Sequence, residues 1–115
     1  MSPRKVEKPW GYELIYAETE KYAGKIIFVR KGEQLSLQYH KVKDETMYLY
    51  SGVARLEIRD TNGNHQIIEL SPGETYHIEP GCQHRVTALE DCQILEVSTP
   101  ELDDVVRLED RYGRA

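Results

Sequence analysis

At 115 residues with 39% hydrophobic and 30% charged side chains, the chain has enough apolar material for one core but not for two. Its 15 basic and 20 acidic residues give a net charge of −5, which excludes nonspecific binding to nucleic acid and to anionic membrane surfaces. No apolar run is long enough to span a bilayer, Met1 to Lys5 has no signal-peptide pattern, and Cys82 and Cys92 fit free thiols, so the cytoplasm is the expected compartment.

In chain order, Met1 to Lys8 is charged, contains Pro3, and reads as a loose arm ending at Pro9-Trp10-Gly11. The single tryptophan, Trp10, opens the strand-like run WGYELIY and is expected to cap one end of the core. Ala23 to Arg30 is a β-branched strand candidate closed by Lys31-Gly32. Leu35 to His40 and Glu45 to Tyr50 follow as strands, and Ser51-Gly52 turns into VARLEIRD, whose alternation fits a sheet with one wet face. Asp60 to Asn64 is the strongest hairpin signal, with HQIIEL as its return strand. Pro72-Gly73 and Pro80-Gly81 bracket a short strand from Tyr76 to Glu79, CQILEVST supplies another, and the tail from Pro100 opens on an acidic break, Glu101 to Asp104, before a last strand through Val105, Val106 and Leu108. Many short strands with glycine or proline turns and almost no helical periodicity predict an all-β jelly-roll barrel over residues 9–99, with a tail at 100–115.

The chemistry concentrates in GEQLSLQYHKVKDETMYLYSG, Gly32 to Gly52. Gln38 and His40 are two residues apart in an alternating run, so a strand points both to one face. If the run opened by Glu45 lies back antiparallel, its carboxylate joins them. His84, at the end of a second glycine-punctuated strand, is a fourth donor candidate. With a divalent ion, one carboxylate and neutral histidines, the formal charge is about +1, which suits a Lewis acid. Mixed nitrogen and oxygen donors admit zinc, manganese, iron, cobalt or nickel, zinc being the first choice. His65 is expected in a solvated loop, His77 toward solvent, and Cys82 in packing.

The spacings Gly32-x5-Gln38-x-His40-x4-Glu45-x6-Gly52 and Gly73-x7-Gly81-x2-His84 resemble the two cupin motifs. KPWGYE, LSLQYH, CQHR and DDVVRLEDRYGR are similar, across nearly the whole chain, to the cupin domain of type II mannose-6-phosphate isomerases; the nucleotidyltransferase domain that often precedes it there lies outside the resemblance. That resemblance implies a double-stranded β-helix, a metal held by Gln38, His40, Glu45 and His84, and Lys25 or a metal-bound water as the proton carrier. Arg85, Arg107 and Arg111 are candidate phosphate contacts, because guanidinium binds phosphate through a fork. Lys43 stands where that family has an arginine, keeping charge and losing the fork.

The expected function is a metal-dependent aldose–ketose isomerase for a phosphorylated hexose of the mannose 6-phosphate/fructose 6-phosphate type. The rivals are a non-catalytic metal-containing sugar-binding module and a metal-dependent oxygenase, the latter disfavoured by Gln38. A sugar phosphate is the expected ligand, with no nucleic acid or membrane partner. Exposed strand edges along Trp10 to Tyr16 and at Val105-Val106 favour a homodimer.

Overall fold

Alternating apolar and polar residues bury one face of each strand, and two such faces closed on each other make the molecule. The structure, a computed structural model, describes residues 2–115. Eleven strands run in order: β1 (Arg4–Lys8), β2 (Gly11–Glu18), β3 (Ala23–Val29), β4 (Leu37–Tyr39), β5 (Glu45–Ser51), β6 (Ala54–Arg59), β7 (His65–Leu70), β8 (Thr75–Ile78), β9 (Gln83–Ala88), β10 (Cys92–Ser98) and β11 (Val106–Glu109). They form a six-stranded sheet, β1-β2-β3-β10-β5-β8, and a five-stranded sheet, β11-β4-β9-β6-β7, every pair antiparallel. The result is an all-β jelly-roll-like sandwich with no helix among the described residues, hence none able to cross a membrane.

The inner faces meet in one apolar core. Ile27, Val29, Met47, Leu49 and Ile94 come from the six-stranded sheet, and Leu56, Ile58, Val86 and Ala88 from the five-stranded one. Each large member contributes roughly 1.5–3 kcal/mol through burial. Trp10, 2% exposed, belongs to this core and also borders the cavity described below. Gly52 turns the chain from β5 into β6 at φ +91°, and a Cβ there would fall 2.1 Å from the Asp91 carbonyl oxygen, so no other residue fits without backbone movement.

Three expectations change. Arg4–Lys8 is no loose arm: it pairs residue by residue with β2, from Arg4 opposite Ile15 to Lys8 opposite Gly11 (Met1 lies outside the described residues). β4 and β5 do not form a hairpin. β4 pairs with β9 and β11 while β5 pairs with β10 and β8, so His40 and Glu45 face each other across the sandwich. His84 does not end a strand; it lies near the start of β9.

Candidate metal centre

His40 leaves the end of β4, His84 lies in β9, and Glu45 is the first residue of β5 in the opposite sheet. All three are at most 2% exposed. Glu45 Oε1 lies 2.5 Å from His40 Nε2 and 3.7 Å from His84 Nε2, and one ligand atom from each residue falls within 4.8 Å of the others. The tautomers follow from the outer nitrogens. His40 Nδ1 is 2.6 Å from the Asp104 carbonyl oxygen and His84 Nδ1 is 3.0 Å from that of Cys82. A carbonyl only accepts, so each Nδ1 carries a hydrogen, and the Nε2 atoms turn toward Glu45.

Burial, above all, pushes the His84 imidazole down to about 4, leaving it neutral at neutral pH. Burial opposes the charge of Glu45, but contacts with Glu96 and His40 and the Lys43 ammonium outweigh it and hold Glu45 down at about 2. Both Nε2 atoms and both Glu45 oxygens are buried without hydrogen-bond partners. Lone pairs converging in a dry interior need positive charge between them. Two imidazoles and a carboxylate are the donor set of a divalent transition ion, so these residues fit a metal.

Behind Glu45 runs a buried ionic chain. Lys43 Nζ is 3.9 Å from Glu45 and 3.1 Å from Glu96; Lys25 Nζ is 3.6 Å from Glu96 and 3.0 Å from Glu13. Burial and the neighbouring Glu45 charge push the Glu96 carboxyl up. For Lys25, burial alone would favour the neutral amine, yet the Glu96 and Glu13 carboxylates overcome it and raise its pKa. An amine so held favours its charged form and ties two carboxylates together. Sequence reading missed Glu96 and Glu13. For Glu96 the signal was its phase with Cys92 and Ile94, both inward-facing.

A cavity of about 220 Å³ opens beside the centre, with His40, Gln38, Lys25, Lys43 and Glu96 on its wall. Gln38 is the Cα partner of His84, and its amide oxygen accepts a hydrogen bond from the Ser36 hydroxyl at 2.8 Å. Arg107 pairs with Gln38 in register and lines the same cavity, its Nε buried without a partner. Lys8 and Arg114 also line it, Arg114 held by two bonds of 2.9 Å to the Asp110 carboxylate. Burial lowers the Lys8 amine; Glu13 opposes this, and Arg107, Lys25 and Arg114 add to it.

The other expected phosphate contacts lie elsewhere. Arg85 follows His84 in a strand, so it points outward, where its Nε reaches Glu57 at 2.6 Å and its Nη1 lies 3.6 Å from Glu109. Arg111 donates to the Gly32 carbonyl oxygen at 2.7 Å. Neither borders the cavity. His77 pairs with Asp44 at 2.6 Å on the surface, His65 is exposed, and Cys82 is packed in the core.

Asp104, part of a stretch that read only as an acidic break, fixes the motif loop. Its carboxylate accepts the backbone N–H groups of Lys41 (3.0 Å), Val42 (2.7 Å) and Lys43 (2.9 Å), which hold it down at about 2, while its carbonyl oxygen orients His40. Asp104→Ala keeps the carbonyl that meets His40 but removes the carboxylate that fixes its position and the Lys41–Lys43 loop, so it should weaken metal binding by about tenfold, the lower end for disturbing an orienting partner. Competition with a chromogenic chelator measures this, and unchanged affinity would contradict it.

The model of the family described as "Mannose-6-phosphate isomerase C-terminal" matches residues 2–110. The chain is 38% identical to mannose-1-phosphate guanylyltransferase ManC of Salmonella typhimurium, over 96% of this chain and 23% of that protein. It is 33% identical to xanthan biosynthesis protein XanB of Xanthomonas campestris pv. campestris, over 96% and 24%. Oxalate decarboxylase from Bacillus subtilis at pH 4.6 superposes with a TM-score of 0.81 at 24% identity, over 92% of this chain and 30% of that one, a likeness of fold. The chain thus spans about a quarter of the length of the curated relatives it matches. These relatives are named as a mannose-1-phosphate guanylyltransferase and a xanthan biosynthesis protein, which overturns the expectation of an aldose–ketose isomerase for this chain and the intramolecular oxidoreductase class with it. What is shared is the cupin domain, and the chain belongs to the mannose-6-phosphate isomerase C-terminal family.

Proposed function

We propose that this chain is a metal-containing cupin module that binds a small phosphorylated sugar of the mannose phosphate class. The observation that carries this reading is that His40, one of the buried metal-type donors, and Arg107, whose Nε is buried without a partner, line one cavity. His40, Glu45 and His84 would hold the ion, with Gln38 as a fourth donor from the cavity wall. When bound, the ion supplies a positive charge to polarise an oxygen of the ligand.

The rest falls to side chains. Arg107, with Lys8 and Arg114 beside it, receives the phosphate, because a guanidinium in a partly dry site forms short charge-assisted bonds to its oxygens. The Lys25–Glu96–Lys43 chain keeps the inner wall polar and fixed, ready for sugar hydroxyls. A cavity of about 220 Å³ lies below the roughly 300–1,000 Å³ of drug-sized pockets and suits one monosaccharide. The names of the curated relatives support the choice of mannose phosphate.

Isothermal calorimetry of zinc-loaded protein with mannose 1-phosphate, mannose 6-phosphate and mannose tests the reading. At least one phosphate should bind, mannose should bind more than tenfold less tightly, and Arg107→Ala should erase that difference, the loss of a charged hydrogen-bond partner being worth roughly 1.5–3 kcal/mol. Equal affinity for the neutral sugar, or no binding of either phosphate, would overturn it.

A further inference from the structure

One inward row of the six-stranded sheet carries a carboxylate where its neighbours are apolar. Glu13 of β2 lies opposite Ile27 of β3, which in turn lies opposite Ile94 of β10, and both isoleucines belong to the core. Residues in register across a sheet share a face, so Glu13 points into the sandwich, where it borders the cavity with its side chain 14% exposed. A carboxylate so placed costs stability unless it is paired, and Lys25 pairs it by donating to Oε2 at 3.0 Å. That bond leaves Glu13 with capacity to spare. A carboxylate offers about four lone-pair sites, and among the described residues Lys25 is its one hydrogen-bond donor and its one ion-pair partner. The second oxygen, Oε1, is thus unclaimed on a cavity wall and, unlike the two Glu45 oxygens, is not sealed in the interior. Nor does Lys25 depend on Glu13 for a counter-charge, since Glu96 lies 3.6 Å from its Nζ.

We propose that Glu13 is a specificity-determining residue of this cavity, its free oxygen accepting a hydroxyl of the ligand's sugar body. The inference rests on the sugar-phosphate reading above and adds to it what selects the sugar. An ionised carboxylate only accepts hydrogen bonds, so it rewards a hydroxyl and gives nothing to a phosphate oxygen, which is itself an acceptor and carries the same charge. Arg107 does the reverse. It comes from β11 of the five-stranded sheet and Glu13 from β2 of the six-stranded one, so the two preferences stand on different walls of one cavity and fix the direction of a ligand between them. A hydroxyl bonded to a carboxylate is held roughly twice as strongly as one bonded to a neutral acceptor. A wall built to take a hydroxyl also rejects a ligand without one, because the polar group is then left unpaired. The class selected is therefore a phosphomonoester with a hydroxylated body, and a phosphate on an apolar or acidic body is turned away.

A cycle that varies protein and ligand together tests this. Zinc-loaded native protein and Glu13→Ala are titrated by calorimetry with mannose 1-phosphate, mannose 6-phosphate and the analogues of each that lack one hydroxyl. Removal of at least one hydroxyl should weaken binding to the native protein by about tenfold, the effect of losing a hydrogen bond to a charged group. The same removal should change binding to Glu13→Ala by no more than about twofold, the scatter of independent changes. Glu13→Gln, which keeps an acceptor oxygen and loses the charge, should fall between the two. Circular dichroism and zinc content of both variants should match the native protein, because Lys25 keeps Glu96. Should Glu13→Ala fail to fold, Glu13→Gln closes the cycle, and its loss on hydroxyl removal should be smaller than the native one. Hydroxyl losses that are equal in native and substituted protein would make Glu13 a mere counter-ion of Lys25 and overturn the proposal, with the sugar-phosphate reading still standing. Failure of the native protein to bind either phosphate would overturn that reading, and this inference with it.

Discussion

Lys43→Ala should destabilise the metal-free fold by about 3–5 kcal/mol, the cost of stranding buried charge. Lys43 is 2% exposed, and its ammonium, 3.1 Å from Glu96 and 3.9 Å from Glu45, is the positive charge that lets these carboxyls share one interior. Its removal leaves them facing each other, and the protein's remaining relief is to keep Glu96 protonated. That sets the pH dependence. Glu96 already has a folded pKa above its unfolded value, so the native state binds more protons than the unfolded state in the intervening window, and stability falls as pH rises through it. Losing Lys43 pushes Glu96 higher still, so the deficit should be smallest near pH 5 and grow above pH 7. Urea denaturation across that range measures the effect, and Lys43→Met combined with Glu96→Gln should recover part of the loss. A single variant as stable as the native protein would contradict the role given to Lys43.

His84→Ala should cost the metal at least the roughly hundredfold at the upper end for an orienting partner, because it strips a ligand outright. The same substitution should alter acid stability in the metal-free protein. The His84 imidazole is held down at about 4 against an unfolded value near 6.5, so the unfolded state binds the extra proton between those limits. Stability from this group is complete above about pH 6.5 and is lost as pH falls to about 4, a change of roughly 3 kcal/mol at 1.36 kcal/mol per pH unit. His84→Ala should flatten that slope, whereas a slope unchanged by the substitution would place its origin elsewhere. Metal affinity of the native protein should weaken over the same acid range, since protons compete for the ligands.

What could be read from the sequence was local. Alternation placed β7 at His65–Leu70 and marked its turn at Asn62-Gly63, where Gly63 has φ +82° and the Asp60 carboxylate accepts the N–H groups of Asn62 and Asn64. Motif spacing brought out His40, Glu45 and His84 together. What was missed depends on pairing between distant strands. A charged segment such as Arg4–Lys8 becomes a strand because β2 offers it an edge, which its own composition does not reveal. Likewise, Glu45 reaches the histidines from the opposite sheet rather than from a hairpin, so its approach is fixed by β10, half the chain away. Asp104 acts on His40 from 64 residues along the chain. Arg85 is different: its outward direction followed from the inward direction of His84 by strand parity alone, and the similarity to a known family hid it.

The central claim, that His40, Glu45 and His84 hold one divalent ion, is tested most directly by counting that ion. Protein stripped with chelator, reloaded with zinc and desalted should carry close to one zinc per chain by elemental analysis, while the combined His40→Ala and His84→Ala variant, treated identically, should carry almost none. A native protein that retains no zinc, or a doubly substituted one that retains as much as the native, would contradict the account.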